Sequence, residues 1–478
     1  MRLRTILTLA PVVLLFLFLV LGFNEPGKAL AQSGSFSETF RRSSEGKAKF
    51  SRSFSVSDAS IPYTLTLTHG NRDGSQRAKK ITVILNGAEV TTLRKSNGSL
   101  VAAVRLQQNN EISLTMKGGS SESQLSVTIE PTRTVLLNSP SDSDFNSKQE
   151  GVGYPFSVAV DSNAHRAYLA DGASDSVIEF DINEARVARR FDNVDNDAIP
   201  GSSGTSGVSV NTNSHTLVAV SPADGSRGNS APSGSVSVIN MDNNSIRTTT
   251  LNNLNPLFVA NNPNTNVAAF IALFAPSSRK AYFFDVAANT VTTKDESASL
   301  ISVTANTVTN EFIFTAAAEG KRPSLVVYSA AAPFRRQQEI ASSAAVGTVF
   351  DRIAVNPANN LAVALNLRDG AAFIFDTGAG TEIARLPLRF VGTRFAEGDV
   401  AVNPETNMAV IVNRSLNILY IIDLATTILR GEYPLPNGIN PLSVGVDTKS
   451  NVAVIGENGF SSARHNGSVI LVKLPERE

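Results

Sequence analysis

Cysteine and tryptophan are absent from this 478-residue chain, and histidine occurs only four times. Without cysteine the chain forms neither disulfides nor thiolate metal sites. Without tryptophan it has no indole to stack on a quinone cofactor or to be converted into one. The 42 basic and 42 acidic residues cancel, so no overall charge favours nucleic acid or an anionic membrane as a partner.

The first residues have the composition of an export signal. Arg2 and Arg4 precede an apolar run over residues 6–22, and Ala29-Leu30-Ala31 places small residues where signal peptidase reads them. The run of 17 residues is short for a membrane span, so we favour cleavage at that point over an uncleaved anchor. We therefore expect a signal peptide over residues 1–31, no membrane span after cleavage, and a secreted, periplasmic or cell-surface protein.

The next segment, residues 36–132, alternates apolar and polar side chains. Tyr63-Thr64-Leu65-Thr66-Leu67 and Leu125-Ser126-Val127-Thr128-Ile129 are two examples of this period-two pattern, which turns one face of a strand to a core and the other to water. Asn86-Gly87 follows one such strand and accepts the positive φ angles of a tight hairpin. Five or more strands of this kind predict a small antiparallel β-sandwich domain.

One loop of this segment has oxygen-bearing side chains close together. It reads His69-Gly70-Asn71-Arg72-Asp73-Gly74, and Asn71 and Asp73 can offer oxygens to Ca²⁺. Because no further acidic residues follow at regular spacing, we favour a glycine-rich turn with Asx hydrogen bonds over a calcium site.

The last two-thirds of the chain repeats one pattern seven times. Each copy has an apolar strand ending in Asp or Asn, then His or Asn four residues later, then a second apolar strand. Successive copies are 44 to 51 residues apart, and a period of this length built from strands alone predicts a β-propeller with one blade per repeat. The anchor pairs are Asp161/His165, Asn211/His215, Asn262/Asn266, Asn306/Asn310, Asn356/Asn360, Asn403/Asn407 and Asp447/Asn451.

The first repeat points to a known family. Its second strand reads Ala167-Tyr168-Leu169-Ala170-Asp171, and its third strand is Ser176-Val177-Ile178-Glu179-Phe180-Asp181. This sequence resembles the YVTN-type β-propeller repeat, and the resemblance covers residues 152–475. It implies an all-β fold in which a seven-bladed β-propeller, residues 155–475, follows the β-sandwich. The family includes surface-layer proteins, binding modules and lactonase-like relatives, so the resemblance implies a fold more than a function.

Residues 133–154 join the two predicted domains. They begin with a lone strand, Arg133–Leu137, and continue as a linker rich in Ser and Asp, Asn138–Tyr154. The chain ends with Ser468–Lys473, the third strand of the last repeat, with no fourth strand after it. We therefore predict that Thr134–Leu137 is the outer strand of the seventh blade, which would cover an edge otherwise open to aggregation.

Two of the four histidines belong to the repeat itself. His165 and His215 occupy the turn position that holds Asn in the other five copies. We interpret both as turn residues rather than metal ligands, and we expect no metal and no cofactor.

Arginine recurs on the loops between second and third strands, which lie on the face of a propeller that usually carries function. A ring of guanidinium groups there would bind carboxylate or phosphate groups. The alternative is that these arginines only solvate exposed loops. The candidates are Arg227, Arg279, Arg322, Arg368, Arg414 and Arg464, with Arg394 on a connection to the same face.

No catalytic set is evident in the sequence. It has no G-x-S-x-G elbow, and Glu457 with His465 is the one acid–base cluster predicted on the loop face. We therefore expect a binding or scaffold protein whose partner is an unidentified protein, an anionic glycan or a small molecule, and not nucleic acid. The alternative is a lactonase-like hydrolase that uses the central channel.

Overall fold

The computed structural model describes residues 35–43, 46–56, 59, 63–71, 75–95, 99–131, 133–136, 155–172, 176–192, 194, 204–222, 233–272, 277–389, 398–435, 440–457 and 468–475. These residues form 36 β-strands and a single 3-10 helix, Ser277–Arg279. No helix among them is both long enough and apolar enough to span a bilayer. The predicted signal peptide of residues 1–31 lies outside the described part.

The N-terminal unit consists of two four-stranded antiparallel sheets. Their orders are β1-β8-β3-β6 and β2-β7-β4-β5. The strands are β1 Phe36–Arg41, β2 Lys47–Ser55, β3 Tyr63–His69, β4 Lys80–Leu85, β5 Ala88–Arg94, β6 Ser99–Val104, β7 Asn109–Lys117 and β8 Gln124–Pro131.

One hydrophobic cluster lies between these two sheets. Leu65 and Val127 come from the first sheet, Ile81 and Leu114 come from the second, and all four are buried. Burial alternates along β7 and β8, because successive side chains of a strand point to opposite faces. The period-two pattern in the sequence therefore indicates sheets that bury one face in the core.

The turns of this unit follow their predicted chemistry. Asn86 and Gly87 join β4 to β5 with φ angles of 51° and 82°, which confirms the hairpin prediction. In the candidate calcium loop, Asn71 donates from Nδ2 to Ser75 Oγ at 3.0 Å and accepts at Oδ1 from Gln124 at 2.9 Å. The Asn71 amide therefore bonds within the turn through Ser75 and to strand β8 through Gln124, whereas residues 72–74 lie outside the described part.

Twenty-seven of the remaining strands, together with β9, form seven four-stranded antiparallel sheets, numbered here as repeat sheets 1 to 7. Sheets 1 to 4 contain β10 Pro155–Asp161, β11 Arg166–Asp171, β12 Ser176–Asp181, β13 Arg186–Phe191; β14 Gly207–Asn211, β15 Thr216–Ser221, β16 Ser233–Asn240, β17 Ile246–Asn252; β18 Pro256–Asn262, β19 Val267–Ala272, β20 Lys280–Asp285, β21 Thr290–Asp295; and β22 Ser299–Asn306, β23 Glu311–Ala317, β24 Ser324–Ser329, β25 Arg336–Ala341.

Sheets 5 to 7 continue the same order, with one exception in the last sheet. They contain β26 Arg352–Asn356, β27 Leu361–Asn366, β28 Ala371–Asp376, β29 Thr381–Pro387; β30 Gly398–Asn403, β31 Met408–Asn413, β32 Ile418–Asp423, β33 Ile428–Pro434; and β34 Pro441–Asp447, β35 Val452–Glu457, β36 Ser468–Lys473, β9 Arg133–Leu136.

The exception is the outer strand of repeat sheet 7. Strand β9 pairs antiparallel with β36, and Leu136 stands opposite Ser468. The sequence predicts this pairing for Thr134–Leu137, and the strand begins one residue earlier, at Arg133. The last sheet therefore takes its outer strand from the segment that precedes all the repeats.

The repeat sheets pack face to face, and this explains their composition. Seven hydrophobic clusters each join two consecutive sheets, and one of them joins sheet 7 to sheet 1. The second and third strands are buried on both faces, as in β12 and β31, so they are continuous apolar runs. Outer strands such as β29 are half exposed and alternate.

The first strands of the seven repeat sheets surround one central cavity of about 310 Å³. Because each sheet is an antiparallel meander, the second-to-third-strand loops and the sheet-to-sheet connections lie at the end where the first strands begin. We call this end the connection face. The anchor pairs lie at the opposite end, the anchor face.

The anchor pairs do more than shape turns. Asn211 donates from Nδ2 to Asn266 Oδ1 of the next sheet at 2.9 Å, and three further Asn–Asn pairs repeat this contact at 2.6–2.8 Å. Sheet 7 contacts sheet 1 through Asp447 Oδ2 and His165 Nδ1, 2.6 Å apart. The anchor side chains therefore link neighbouring sheets.

Candidate binding site

The predicted arginine ring is only partly described. Three members lie outside the described residues: Arg227, Arg394 and Arg464. The side chains of Arg279, Arg322 and Arg368 are exposed, and that of Arg414 is half-buried. Arg322 donates from Nη1 to the carbonyl oxygen of Ser343 at 3.1 Å, and no described residue forms an ion pair with any of the three exposed guanidinium groups. These three side chains are exposed without an ion-pair partner in the described part, and the ring itself stays a prediction.

Charges near these arginines are mixed. Lys321 and Glu319 share the loop of Arg322, and all three side chains are exposed, so this loop has a net charge of about +1. Arg368 is followed by Asp369, which accepts at Oδ2 from Asn366 Nδ2 at 2.8 Å. The loop of Arg322 thus has a net positive charge, whereas Arg368 and Asp369 cancel.

The central cavity contains a charged pair that the loop analysis does not predict. The residue four positions before each anchor marks one position in all seven first strands. Two neighbouring sheets place opposite charges there, whereas the other five have small or neutral residues. The seven residues are Ser157, Gly207, Phe258, Ser302, Arg352, Asp399 and Ser443.

Arg352 is held by three neighbours. Its Nη1 donates to the carbonyl oxygen of Asp351 at 2.9 Å, and its guanidinium carbon lies 4.2 Å from the centroid of the Phe258 ring, a cation–π contact. Its Nε lies 3.7 Å from Asp399 Oδ1, which is too long for a hydrogen bond. The side chain is only 19% exposed.

Asp399 is fixed by backbone donors. Its Oδ1 accepts from the N–H of Val400 at 2.9 Å, and its Oδ2 accepts from the N–H of Val444 at 3.0 Å. Burial raises the pKa of Asp399, against the opposite effect of Arg352 and these two N–H groups. Burial also lowers the pKa of Arg352. Both shifts express the cost of holding charge away from water.

Asn261 is a further polar residue of the cavity wall. It is 5% exposed, and neither side-chain amide atom has a hydrogen-bond partner among the described residues. The equivalent residues of the other six first strands are valine or alanine. An unpaired amide at this depth is costly, so it marks the wall as a place where a polar guest would be accepted.

The acid proposed for a hydrolase is buried. Glu457 ends β35 and is 7% exposed, and Ser468 Oγ donates to its Oε2 at 2.6 Å. Burial raises the pKa of Glu457. His465, its predicted partner, lies outside the described residues. No cluster of three or more potential metal ligands occurs within the described part of the chain.

The two repeat histidines have the predicted turn geometry. His165 and His215 have φ angles of 52° and 49°, in the same left-handed region as the asparagines at the equivalent positions. Each ring also contacts an aspartate, Asp447 for His165 and Asp242 for His215. This confirms their interpretation as turn residues.

Comparison with solved structures identifies the architecture. The chain resembles U3-55K with 12% identity and a TM-score of 0.52, over 71% of this chain and 98% of that one. The fold is a β-propeller. The Myceliophteria thermophila Cps50 (Swd1) β-propeller domain matches at 11% identity and TM-score 0.51, covering 69% of this chain and 98% of that one. Kuenenia stuttgartiensis hydrazine synthase matches with 13% identity and TM-score 0.52, over 69% and 98% of the two chains.

At these identities the likeness establishes the propeller fold alone. No protein-family model matches the chain, and no curated protein does. The propeller's function must therefore be argued from its own residues.

Proposed function

We propose that this protein is an exported binding module that recognises an anionic glycan at the connection face of its propeller. One observation carries the proposal. Three consecutive repeat sheets, 3 to 5, present the exposed side chains of Arg279, Arg322 and Arg368 at the connection face. Several separated cations suit a polymer with repeated negative charges.

The architecture in this proposal is a β-sandwich followed along the chain by a seven-bladed YVTN-type propeller. Seven consecutive sheets with seven shared clusters support the blade count. Two sheets around one cluster support the sandwich. The apolar run and small residues of the first 31 positions support export to the periplasm, cell surface or medium.

The test is a binding screen of the purified protein against uronic-acid or sulfated polysaccharides and neutral glycans, at low and moderate salt. We expect salt-sensitive binding of the charged polymers only. Replacing Arg279, Arg322 and Arg368 together by Gln should weaken it about tenfold, since exposed charge contacts contribute about 0.2–1 kcal/mol each.

Arg335→Gln is the matched control, because Arg335 is an exposed arginine in a turn at the anchor face. Unchanged binding by the triple variant, or equal binding of neutral glycans, would rule out the arginine site. Capture of an acidic protein without any glycan binding would instead identify a protein partner and contradict the proposal.

The alternative is a lactonase-like hydrolase, which is favoured by the buried carboxyl of Glu457. Burial keeps this carboxyl protonated to higher pH than usual, as a general acid requires. Turnover of small lactones in the same screen, lost in Glu457→Gln, would support this alternative.

A further inference from the structure

A second cavity opens beside the central one, near the connection face. Its volume is about 400 Å³, within the range of small-molecule sites. Its apolar walls include Leu257 and Phe258 of β18, Ile271 of β19, and Leu300 and Ile301 of β22. A ligand of this cavity must therefore have an apolar portion that packs against these walls.

The lining of this cavity carries both charge signs. Asp351 and Arg352 both belong to it, and Arg352 also lines the central cavity. The Ser278 and Ser299 hydroxyls, 3.3 Å apart, complete the polar lining. The cavity therefore combines apolar walls with one cation and one carboxylate that are neighbours in the sequence.

Arg352 has N–H donors that no described residue accepts. A guanidinium has five N–H groups, and in Arg352 one hydrogen bond from Nη1 to the carbonyl oxygen of Asp351 is formed. Nη2 has no partner in the described part of the chain, and Asp399 is beyond hydrogen-bond distance from Nε. The guanidinium is thus held in place by Phe258 and Asp351 while part of its donor edge is unused.

The Asp351 carboxylate can accept more hydrogen bonds than it receives from described residues. Its Oδ2 accepts the backbone N–H of Leu367 at 2.9 Å, and a carboxylate offers about four acceptor sites. Burial raises the pKa of Asp351, against the opposite effect of Arg352 and the Leu367 N–H. A donor with a positive charge would compensate the charge of this carboxylate.

These charges select among possible guests. A simple anion would be attracted by Arg352 but repelled by the Asp351 carboxylate. A simple cation would be attracted by Asp351 but repelled by Arg352. A neutral apolar molecule would leave both charges unpaired and desolvated, which is costly. We propose that this cavity binds an α-amino acid with an apolar side chain: its carboxylate accepts from Arg352, its ammonium donates to Asp351, and its side chain lies against Leu257, Leu300 and Ile301.

Calorimetric titration of the purified protein with L-leucine and L-phenylalanine tests this site. The comparison ligands are 4-methylpentanoate, which lacks the ammonium, and isoamylamine, which lacks the carboxylate. We expect the amino acids to bind and each comparison ligand to bind about tenfold more weakly or worse, since a hydrogen bond to a charged group contributes about 1.5–3 kcal/mol. Equal binding of 4-methylpentanoate, or binding of none of the four, would overturn the proposal.

Two variants assign the charges. Arg352→Gln and Asp351→Asn should each weaken leucine binding about tenfold or more, and Asp351→Asn keeps an oxygen for Leu367 if Arg352→Gln fails to fold. Retained leucine affinity in a folded Asp351→Asn would overturn the assignment. The triple glutamine variant of Arg279, Arg322 and Arg368 should bind leucine normally, so this site and the glycan site can fail independently.

Discussion

Asn261 is a single side chain that we expect to destabilise the fold from the wall of the central cavity. The first strands of the other six repeat sheets place valine or alanine at its position, and its amide has no partner within the described residues. We expect Asn261→Val to raise the free energy of unfolding by about 1–3 kcal/mol, the usual penalty for an unpaired buried polar group. Urea denaturation measures the change.

The anchor Asn403 is the control for this prediction. Its Oδ1 accepts the backbone N–H of Glu405 at 3.0 Å and its Nδ2 donates to Asn451 Oδ1 at 2.8 Å, so Asn403→Val should lower the free energy of unfolding. A lower stability for Asn261→Val as well would mean that its amide is satisfied by water or a ligand in the cavity.

Glu457 predicts how stability depends on pH. Because burial raises its pKa in the folded state, the folded protein binds the proton more tightly than the unfolded chain does. The contribution of Glu457 to the free energy of unfolding is therefore lowest at pH values above its folded-state pKa. This contribution rises as the pH falls from the folded-state pKa toward the ordinary pKa of glutamate. Replacing Glu457 by Gln should raise stability at neutral pH and remove this part of the pH dependence.

Urea midpoints at neutral and mildly acidic pH, for wild type and Glu457→Gln, test this sign. The exposed Glu405, which pairs with Lys449, is a suitable control because its replacement by Gln should leave the pH trend intact. An identical trend in the Glu457 variant would assign the dependence to another group.

Part of the site could be predicted at this scale and part could not. The turn role of His165 follows from its place in the repeat. The charged pair Arg352 and Asp399 is also visible in the sequence once the strands are aligned on their anchors, but attention to loops alone overlooks it. The cavity beside Arg352 is different, because its walls come from four repeat sheets and only the folded ring brings them together.

At the scale of the elements, close packing between repeat sheets 7 and 1 depends on Gly445. A Cβ atom at this position would lie 2.7 Å from Val160 Cγ2 and 2.9 Å from Val158 Cγ1 of β10. We expect Gly445→Ala to lower the free energy of unfolding by about 1–3 kcal/mol through overpacking, measurable as a shift in the urea midpoint.

Gly378→Ala provides the comparison, since its added Cβ would be no closer than 3.2 Å to any atom of other residues, the nearest being Asn360 Nδ2. A larger loss in Gly378→Ala than in Gly445→Ala would contradict the packing argument. The strands themselves were readable from the sequence, because buried second and third strands are apolar runs and outer strands alternate.

At the scale of the whole molecule, the ring is held by side chains that match donor to acceptor. Anchor asparagines donate to asparagines of the next repeat sheet, and the anchor Asp447 meets His165. A carboxylate cannot donate, so its partner must. Sheets 1 and 2 also have Asp161 and His215 at these two positions, but there His215 contacts Asp242 instead. This inter-sheet role becomes apparent only when the ring brings neighbouring anchors together.

The pairing of β9 with β36 has a consequence for the order in which this protein can form. Strand β9 leaves the ribosome before any repeat sheet, but Ser468, the partner of its Leu136, is synthesised 332 residues later. Contacts between such distant residues form slowly, because the entropy of closing the loop must be overcome first. The early strand therefore cannot form this pairing until β36 has been synthesised, and closure of the ring follows the formation of the preceding sheets.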